Sequence, residues 1–148
     1  MNPYNGFTPE ERRAAFEITK AAWRDGTATP PRECEVCGQT EGRIEAHDED
    51  YTRPLDYYEV CYTCHMMIHC RYRDPFRWGQ YLALVEAGAT FRRARGWPDF
   101  RERYLEGELT AQVVGLGAPR KRSFAAHLPV VNTRSVPSDL PAPARFSA

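Results

Sequence analysis

The sequence predicts a small α+β domain that is mostly helical outside two short strands, with a disordered C-terminal tail. Residues 43–47 and 57–60 are each short enough to form a strand, and a loop through Pro54 separates them. Elsewhere, apolar residues recur at the three-to-four-residue spacing of helices. After residue 108 this periodicity fades, and residues 109–148 become basic and rich in proline, serine and alanine. Segments of that composition bury too little apolar surface to fold, which predicts disorder.

The N-terminal segment, residues 1–33, contains a helix with well-marked ends. Thr8 is the expected N-cap, Pro9 is the first helical residue, and Glu11 completes a capping box. Gly26 ends the helix, because glycine readily adopts the left-handed conformation that closes helix C-termini. We therefore expect one helix here, followed by a loop.

Three further helices are predicted downstream. Residues 62–73 contain no helix breaker and follow the second strand directly. Asp74 and Pro75 form an N-cap and first-turn pair that opens the next helix, which ends at Gly88. A short helix then runs from about residue 100 to 106. These boundaries divide the chain into four parts: residues 1–33, 34–73, 74–108 and 109–148.

Composition limits the compartments in which the protein is expected. No apolar run reaches the roughly 18 residues that span a membrane, and the opening stretch MNPYNGFTPEERR lacks the apolar segment of a signal peptide. We therefore expect a cytoplasmic protein that does not enter a membrane. In that reducing compartment, paired cysteines act as metal ligands more often than as disulfides.

The net charge of zero conceals an uneven distribution. Residues 33–59 contain nine acidic side chains and two arginines, whereas residues 71–103 contain eight arginines and four acids. Arginine suits phosphate because its planar fork can donate to two oxygens at once. The candidate phosphate contacts are Arg71, Arg73, Arg77, Arg92, Arg93 and Arg95. The alternative is that these arginines form a solvated helix face.

Two cysteine pairs predict a zinc centre. Cys34 and Cys37 are separated by two residues, as are Cys61 and Cys64, and 23 residues lie between the pairs. Each pair can direct two thiolates to one side of a turn, and two such turns complete a tetrahedron around Zn²⁺. Four thiolates leave no open position, so this zinc would be structural and its binding would contribute to folding. Disulfides or unrelated buried thiols are the alternative.

A second group of metal-binding residue types lies in the same region. His65 and His69 are four residues apart in a predicted helix and so share a face. His47 ends the first predicted strand and is followed by three acids, residues 48–50. Such residues can bind a divalent ion, and the acids suit Mg²⁺. Alternatively, the histidines pack over the zinc centre and the acids form a solvated loop.

The central module carries a longer motif that includes both groups. Its parts, in order, are Cys34-x-x-Cys37, Glu45-Ala46-His47, Asp50-Tyr51, Pro54-Leu55-Asp56 and Cys61-Tyr62-Thr63-Cys64-His65, with His69 four residues further on. This order resembles the HNH, or ββα-metal, endonuclease family with structural zinc knuckles, in a variant found often in phage genomes. The resemblance covers residues 34–70, about a quarter of the chain.

The resemblance implies a ββα-metal-like module that hydrolyses DNA phosphodiester bonds with a single divalent ion, Mg²⁺, Mn²⁺ or another metal. His65 would be a metal ligand, and His69 would assist. Asp56 lies where the family often has an asparagine that constrains the active-site loop. The family also implies DNA as a partner, and either a homodimer or a component of a larger phage machine.

The end of the first strand fits the family in two ways. Family members commonly place a metal ligand and then a general base at adjacent positions. If these are Ala46 and His47, His47 is the base and a ligand is missing. If they are His47 and Asp48, His47 is a ligand of the catalytic ion and Asp48 is the base. This second alignment is favoured because it keeps the spacing to Asp50.

The second alignment lowers the expected activity. A free aspartate has a pKa of about 3.9 and is therefore a poor base near neutral pH. General-base catalysis contributes roughly 10²–10⁴ to rate. The sequence thus predicts either a slow nuclease or a zinc-finger protein that has lost the chemistry and binds nucleic acid or a protein partner.

Overall fold

Residues 1–132, which the computed structural model describes, form an α+β fold of four α-helices and two two-stranded antiparallel sheets. The helices are α1 (Pro9–Asp25), α2 (Tyr62–Cys70), α3 (Pro75–Glu86) and α4 (Trp97–Phe100), and a π-helical turn (Arg101–Leu105) extends α4. The strands are β1 (Ile44–His47), β2 (Tyr58–Cys61), β3 (Ala89–Phe91) and β4 (Val113–Leu116). Short 3₁₀ turns cover Thr110–Gln112 and Phe124–His127. Within this part of the chain, no helix has both the length and the apolar character of a bilayer span.

Helix α1 has the predicted ends. The Glu11 N–H donates to Thr8 Oγ1 over 3.2 Å, and the Thr8 N–H donates to Glu11 Oε2 over 2.8 Å, which completes the capping box. Gly26 closes the helix at φ 81°, in the left-handed region. On the buried face, the Thr19 hydroxyl donates to Pro54 O over 2.8 Å. This bond fixes α1 against the loop between β1 and β2.

Strands β1 and β2 pair antiparallel, and α2 follows β2 without a loop. The register places His47 opposite Tyr58, and α2 packs against both strands. Helix α2 ends at Cys70, three residues before its predicted end. The reason is that Asp74 caps α3 by accepting a hydrogen bond from the Arg77 N–H over 3.0 Å, so the intervening residues form a turn. The hairpin therefore lies directly beside α2.

One strand of a second small sheet, β4, lies within the predicted tail. Strands β3 and β4 pair antiparallel, with Ala89 opposite Leu116. Gly88 precedes β3 at φ 97°, and a Cβ at this position would lie 2.3 Å from the Gly117 carbonyl oxygen, so only glycine fits. Strand β4 is too short to show an alternating pattern, and its partner is distant in sequence. Neither feature could be read from local periodicity.

Residues 117–132 also fold onto the domain. The Phe124 ring stacks on Tyr58, with centroids 3.7 Å apart and ring planes 5° apart. Such stacking holds the segment against the β1–β2 hairpin. The expectation that a disordered tail begins at residue 109 is therefore corrected, because tertiary pairing orders a segment that lacks periodicity of its own. The rest of the predicted tail, residues 133–148, lies outside the described residues.

The core of the domain surrounds the cysteines. Its large and almost fully buried side chains come from α2, α3, α4 and the π-helical turn: Met67, Ile68, Tyr81, Phe100 and Tyr104. Cys34 and Cys64 are buried in the same cluster. The main block of apolar packing is therefore continuous with the thiol group, and both stabilise the same part of the fold.

Candidate metal centres

Four thiols converge between the β1–β2 hairpin, the preceding turn and α2. The sulfur atoms of Cys34, Cys37, Cys61 and Cys64 all lie within 4.8 Å of one another, and Cys37 Sγ is 3.8 Å from Cys61 Sγ. Sulfurs bound to tetrahedral zinc at about 2.3 Å lie about 3.8 Å apart. All of these cysteines are free thiols, so the disulfide alternative does not hold. The donor set and its spacing fit a structural metal ion such as zinc.

Local turns direct these thiols inward. After Cys34 the chain reverses, since the Gly38 N–H donates to Cys34 O over 2.8 Å and Gly38 adopts φ 75°. At the second pair, Cys61 is the N-cap of α2, and its sulfur accepts from the Cys64 N–H over 3.4 Å. The Tyr81 hydroxyl lies 2.8 Å from Cys64 Sγ, where it can donate to a thiolate. Helix α3 thereby supports the metal centre from outside.

The thiols influence one another's protonation. The pKa of Cys34 is held far below its usual range, because the Cys37, Cys61 and Cys64 thiols hydrogen-bond to its thiolate. The pKa of Cys64 is raised, first by burial and then by its hydrogen bonds to the other thiols. Zinc requires all four ligands as thiolates, so its binding would release protons.

Three histidines form a second converging group. His47 ends β1, whereas His65 and His69 lie one turn apart on α2. One ring nitrogen from each histidine lies within 4.8 Å of the other two. His65 Nε2 and His69 Nε2 are 3.1 Å apart, close to the roughly 3.3 Å expected for two imidazoles on a tetrahedral metal with bonds of about 2.0 Å. This spacing fits a metal ion bound by three imidazoles.

Two carboxylates orient these rings. His65 Nδ1 lies 2.5 Å from Glu45 Oε2, and His47 Nε2 lies 2.6 Å from Glu49 Oε1. Burial is the largest single influence and raises the pKa of both carboxyl groups, but the histidine hydrogen bonds and the nearby positive charges together outweigh it, so the pKa of Glu45 is lowered and that of Glu49 falls to about 2. An ionised carboxylate accepts the ring N–H, which leaves the other ring nitrogen available to a metal.

The buried rings are in the neutral form that metals require. Burial lowers the pKa of His47 to about 4 and holds that of His69 well below its usual range. His47 is 1% exposed, and its Nδ1 has no hydrogen-bond partner among the described residues. A buried nitrogen without a partner is destabilising unless something binds it. The histidine group therefore has features that packing alone does not explain.

Arg71 lies inside the fold at the centre of a polar network. Its side chain is fully buried, and its Nη2 lies 3.1 Å from Glu49 Oε2. Its Nη1 donates to Tyr4 Oη over 2.7 Å, and its Nε donates to Pro129 O over 2.8 Å. The prediction that Arg71 contacts phosphate is corrected, because its charge instead balances the carboxylate that orients His47.

A cavity of about 440 Å³ opens beside the histidine group. Its polar wall includes Arg12, Asp48, His65 and His69. Asp48 is buried, and its Oδ1 has no hydrogen-bond partner among the described residues. Burial raises its pKa to about 7, although the charge of Arg12 opposes the shift. Asp48 thus stands outside the three-histidine group but lines the same cavity, and it does not resemble a free aspartate.

Asp56 and Asp50 do not line this cavity. Asp56 is exposed and forms an ion pair with Arg53 across a turn. Asp50 is exposed and accepts a hydrogen bond from the Thr52 N–H over 3.0 Å. Both residues therefore shape the loop between β1 and β2, and Asp56, which the resemblance implied as a residue that constrains the active-site loop, lies outside the cavity.

The other arginines predicted to contact phosphate divide into two groups by their exposure. Arg77 Nη1 donates to the carbonyl oxygens of Tyr104 and Gly107 over 3.0 and 2.7 Å, which ties α3 to the π-helical turn. The exposed arginines are Arg73, Arg92, Arg93 and Arg95. The last three of these lie after β3 and line a second cavity. Only the exposed group is placed to contact a partner.

The sequence did not predict that Glu45 and Glu49 orient histidine rings, or that Tyr4 and Arg12 lie beside the histidines. Glu45 precedes His47 by two residues, and alternate residues of a strand share a face, so the pattern Glu-x-His contained a usable signal. Tyr4 and Arg12 come from a distant segment, and no spacing in the sequence indicates their contacts with the site.

Comparison with protein-family models, with curated proteins and with solved structures finds no match. The interpretation of these centres therefore depends on their own geometry. That geometry is a four-thiol centre and a three-histidine group that share helix α2, with one cavity lined by Asp48 and Arg12.

Proposed function

We propose that this protein is an HNH-like, metal-dependent endonuclease that hydrolyses DNA phosphodiester bonds and carries structural zinc in its four-cysteine site. One observation carries the proposal. His47, His65 and His69 converge within 4.8 Å, and carboxylates orient two of the rings. A strand-end histidine that faces two helix histidines is an arrangement suited to holding one divalent ion against a phosphate.

The order of the elements supports this proposal. An antiparallel hairpin is followed at once by a helix, and the cysteine pairs flank the hairpin. Cys64 and His65 are neighbours on α2, so the thiol centre anchors the helix turn that presents His65. A structural metal would thereby pre-organise the second group of ligands.

The ligand set narrows the choice of the second metal. Three imidazoles favour Zn²⁺, Ni²⁺ or Co²⁺, whereas Mg²⁺ prefers oxygen ligands. A divalent ion bound there would polarise the phosphate and stabilise charge on the leaving oxygen. We therefore expect the highest activity with these transition metals, and not with the Mg²⁺ that the acidic loop suggested.

Two charged residues of the cavity would supply the remaining chemistry. The Asp48 carboxylate lines the cavity beside the histidines, where it can accept a proton from an attacking water. This role corresponds to the alignment in which His47 is a ligand and Asp48 is the base. Arg12 lines the same cavity, and its buried Nε has no hydrogen-bond partner within residues 1–132. A phosphate oxygen would satisfy that donor.

Plasmid nicking tests the proposal. Purified protein is incubated with supercoiled plasmid and Zn²⁺, Ni²⁺, Co²⁺, Mn²⁺ or Mg²⁺, beside His65→Ala and His127→Ala variants. His127 is exposed and lies outside both centres, so it controls for loss of an unrelated histidine. We expect metal-dependent nicking that His65→Ala abolishes and His127→Ala preserves. Nicking by His65→Ala at the wild-type rate would refute the proposal, as would inactivity with every metal in zinc-loaded protein.

The alternative is a zinc-finger protein of similar architecture that binds nucleic acid without cleaving it. The exposed arginines favour this alternative as much as cleavage, because Arg92, Arg93 and Arg95 can contact phosphates without any catalytic ion. In that case a gel-shift assay would detect a DNA complex, and none of the metals would produce nicked plasmid.

A further inference from the structure

A second cavity adjoins the histidine cavity, and Arg43 and Tyr62 line both. The second cavity has a volume of about 520 Å³. Its charged lining consists of five arginines and two acids, which are Arg43, Arg92, Arg93, Arg95, Arg103, Glu41 and Asp99. We call it the arginine cavity. Arginines outnumber acids there, so it attracts anions.

Three of the five arginines have no carboxylate within ion-pair distance in the described residues, although the charge of Arg95 still acts on Asp99. Arg43 pairs with Glu45, and Arg103 pairs with Asp99 over 2.6 Å. The other three form no ion pair within residues 1–132, and they are Arg92, Arg93 and Arg95. Each is exposed, so its guanidinium remains available to an incoming anion.

The loop that carries these arginines is fixed by backbone hydrogen bonds. The Ala94 N–H donates to Thr63 Oγ1 over 3.0 Å, which attaches the loop to the first turn of α2. The Arg95 N–H donates to Asp99 Oδ2 over 2.9 Å, which attaches it to α4. A fixed backbone lowers the entropy lost when the side chains bind an anion.

Arg43 connects the arginine cavity to the histidine group. It contacts Glu45, whose other oxygen lies 2.5 Å from His65 Nδ1. Its guanidinium also lies over the Tyr62 ring, 5.6 Å from the centroid. Arg43 and Tyr62 therefore lie at the boundary of the two cavities, where a guanidinium can contact an anion in either one.

We infer that the arginine cavity is a phosphate-binding subsite for DNA, holding the backbone next to the phosphate that enters the histidine cavity. That the bound phosphates belong to DNA rests on the proposed function, but phosphate binding in the arginine cavity does not require cleavage. Arginine forks match phosphate oxygens, and backbone contacts of this kind position a nucleic acid and supply much of its affinity.

Fluorescence polarisation with a labelled duplex of about 20 base pairs tests this inference without any cleavage step. Zinc-loaded wild type is compared with the triple variant Arg92→Gln, Arg93→Gln, Arg95→Gln over a range of salt concentrations. The matched control is Arg13→Gln, Arg53→Gln, Arg122→Gln, which removes the same charge from exposed, ion-paired arginines outside both cavities. Circular dichroism and zinc content establish that each variant is folded.

The cavity variant should raise the Kd for the duplex at least tenfold at moderate salt. It should also reduce the magnitude of the slope of log K against log salt by about two to three, since each phosphate contact contributes about 0.9 to that slope. The control should change the Kd by less than about threefold. If both triple variants weakened DNA binding equally, the inference would be overturned, because the arginines would then attract DNA only through the overall charge of the protein. Absence of DNA binding by wild type would overturn it as well. Failure of the plasmid assay alone would remove the proposed nuclease activity and leave this subsite standing.

Discussion

Neighbouring carboxylates after β1 have different roles because they differ in burial. Asp48 is buried, and its Oδ1 has no hydrogen-bond partner among the described residues. Asp50 is exposed and accepts from the Thr52 N–H over 3.0 Å. Removing water from a carboxylate increases its affinity for a proton. Asp48 is thus suited to proton transfer, whereas Asp50 stabilises a turn.

Replacing Asp48 by asparagine should separate these roles. Asp48→Asn keeps the shape of the side chain but removes the proton acceptor, so metal-dependent nicking should fall by roughly 10²–10⁴. Asp50→Asn is the matched control, because asparagine preserves the turn, and its nicking rate should stay near that of wild type. Plasmid nicking over time measures both rates, and metal analysis establishes that the bound ions are unchanged.

Asp48→His extends this experiment. Histidine can also accept a proton near neutral pH, with an ordinary pKa of about 6.5, so nicking should recover well above the rate of Asp48→Asn. A rate as low as that of Asp48→Asn would mean that residue 48 does not act as the base.

Arg71 should be required for stability and not for DNA affinity. Arg71→Ala leaves the Glu49 carboxylate without its counter-charge and removes a hydrogen bond to Pro129 O. Loss of one partner of a buried ion pair costs about 3 kcal/mol, which urea unfolding followed by circular dichroism would measure. Arg73→Ala, on an exposed neighbour, should cost less than about 0.5 kcal/mol. Equal unfolding midpoints for the two variants would contradict this assignment.

The sequence predicts the metal-binding side chains better than it predicts the distant residues that contact them. These patterns are local. A Cys-x-x-Cys pair forms a metal-binding turn, and residues four apart on a helix, such as His65 and His69, share one face. Glu49 and Arg71 are 22 residues apart and form an ion pair that only the tertiary fold creates. For the same reason an arginine expected at the surface is buried.

At the scale of elements, helix α2 contributes residues to both the four-thiol group and the three-histidine group. Its N-cap Cys61 and first-turn Cys64 face the thiol group, while His65 and His69 face β1. The boundaries of α1 and the start of α3 were predictable because capping residues act locally. Strand β4 and the segment after it were not, since they depend on contacts with distant partners.

The C-terminal segment should contribute measurably to stability through one aromatic contact. Phe124→Ala removes the ring that stacks on Tyr58 at 3.7 Å and should lower the free energy of unfolding by about 1–2 kcal/mol, since Phe124 is only partly buried. Phe76→Ala is the control, because Phe76 is 75% exposed, and it should change stability by less than about 0.5 kcal/mol. Chemical denaturation measures both. A negligible effect of Phe124→Ala would mean that the stack on Tyr58 does not add to the stability of the fold.

At the scale of the whole molecule, the thiol centre stabilises the fold from within its core. Structural zinc in small domains binds with about 10–16 kcal/mol, as much as the entire stability of a typical domain, which is about 5–15 kcal/mol. Cys34 and Cys64 belong to the main buried cluster, so removal of the metal would leave buried thiols at the centre of the core. The folded state is therefore expected to require the metal.

Cys64→Ser should prevent folding, whereas Cys70→Ser should not. Cys70 is buried outside the thiol group, and burial raises its pKa to about 11, so it remains a protonated, unreactive thiol. Far-ultraviolet circular dichroism and zinc content should report loss of helix and metal for Cys64→Ser and near-normal values for Cys70→Ser. Folded, zinc-free Cys64→Ser protein would contradict a structural role for the metal.

The position of Met1 beside the histidine cavity affects where a purification tag can be placed. Met1 and Asn2 line the histidine cavity, and the Tyr4 ring lies 4.4 Å from that of His69. A polyhistidine purification tag placed before Met1 would begin at the mouth of that cavity and would add imidazoles that compete for its metal. It would also inflate any measured ratio of metal to protein. Metal counts and cleavage rates should therefore come from chains whose tag has been removed by proteolysis.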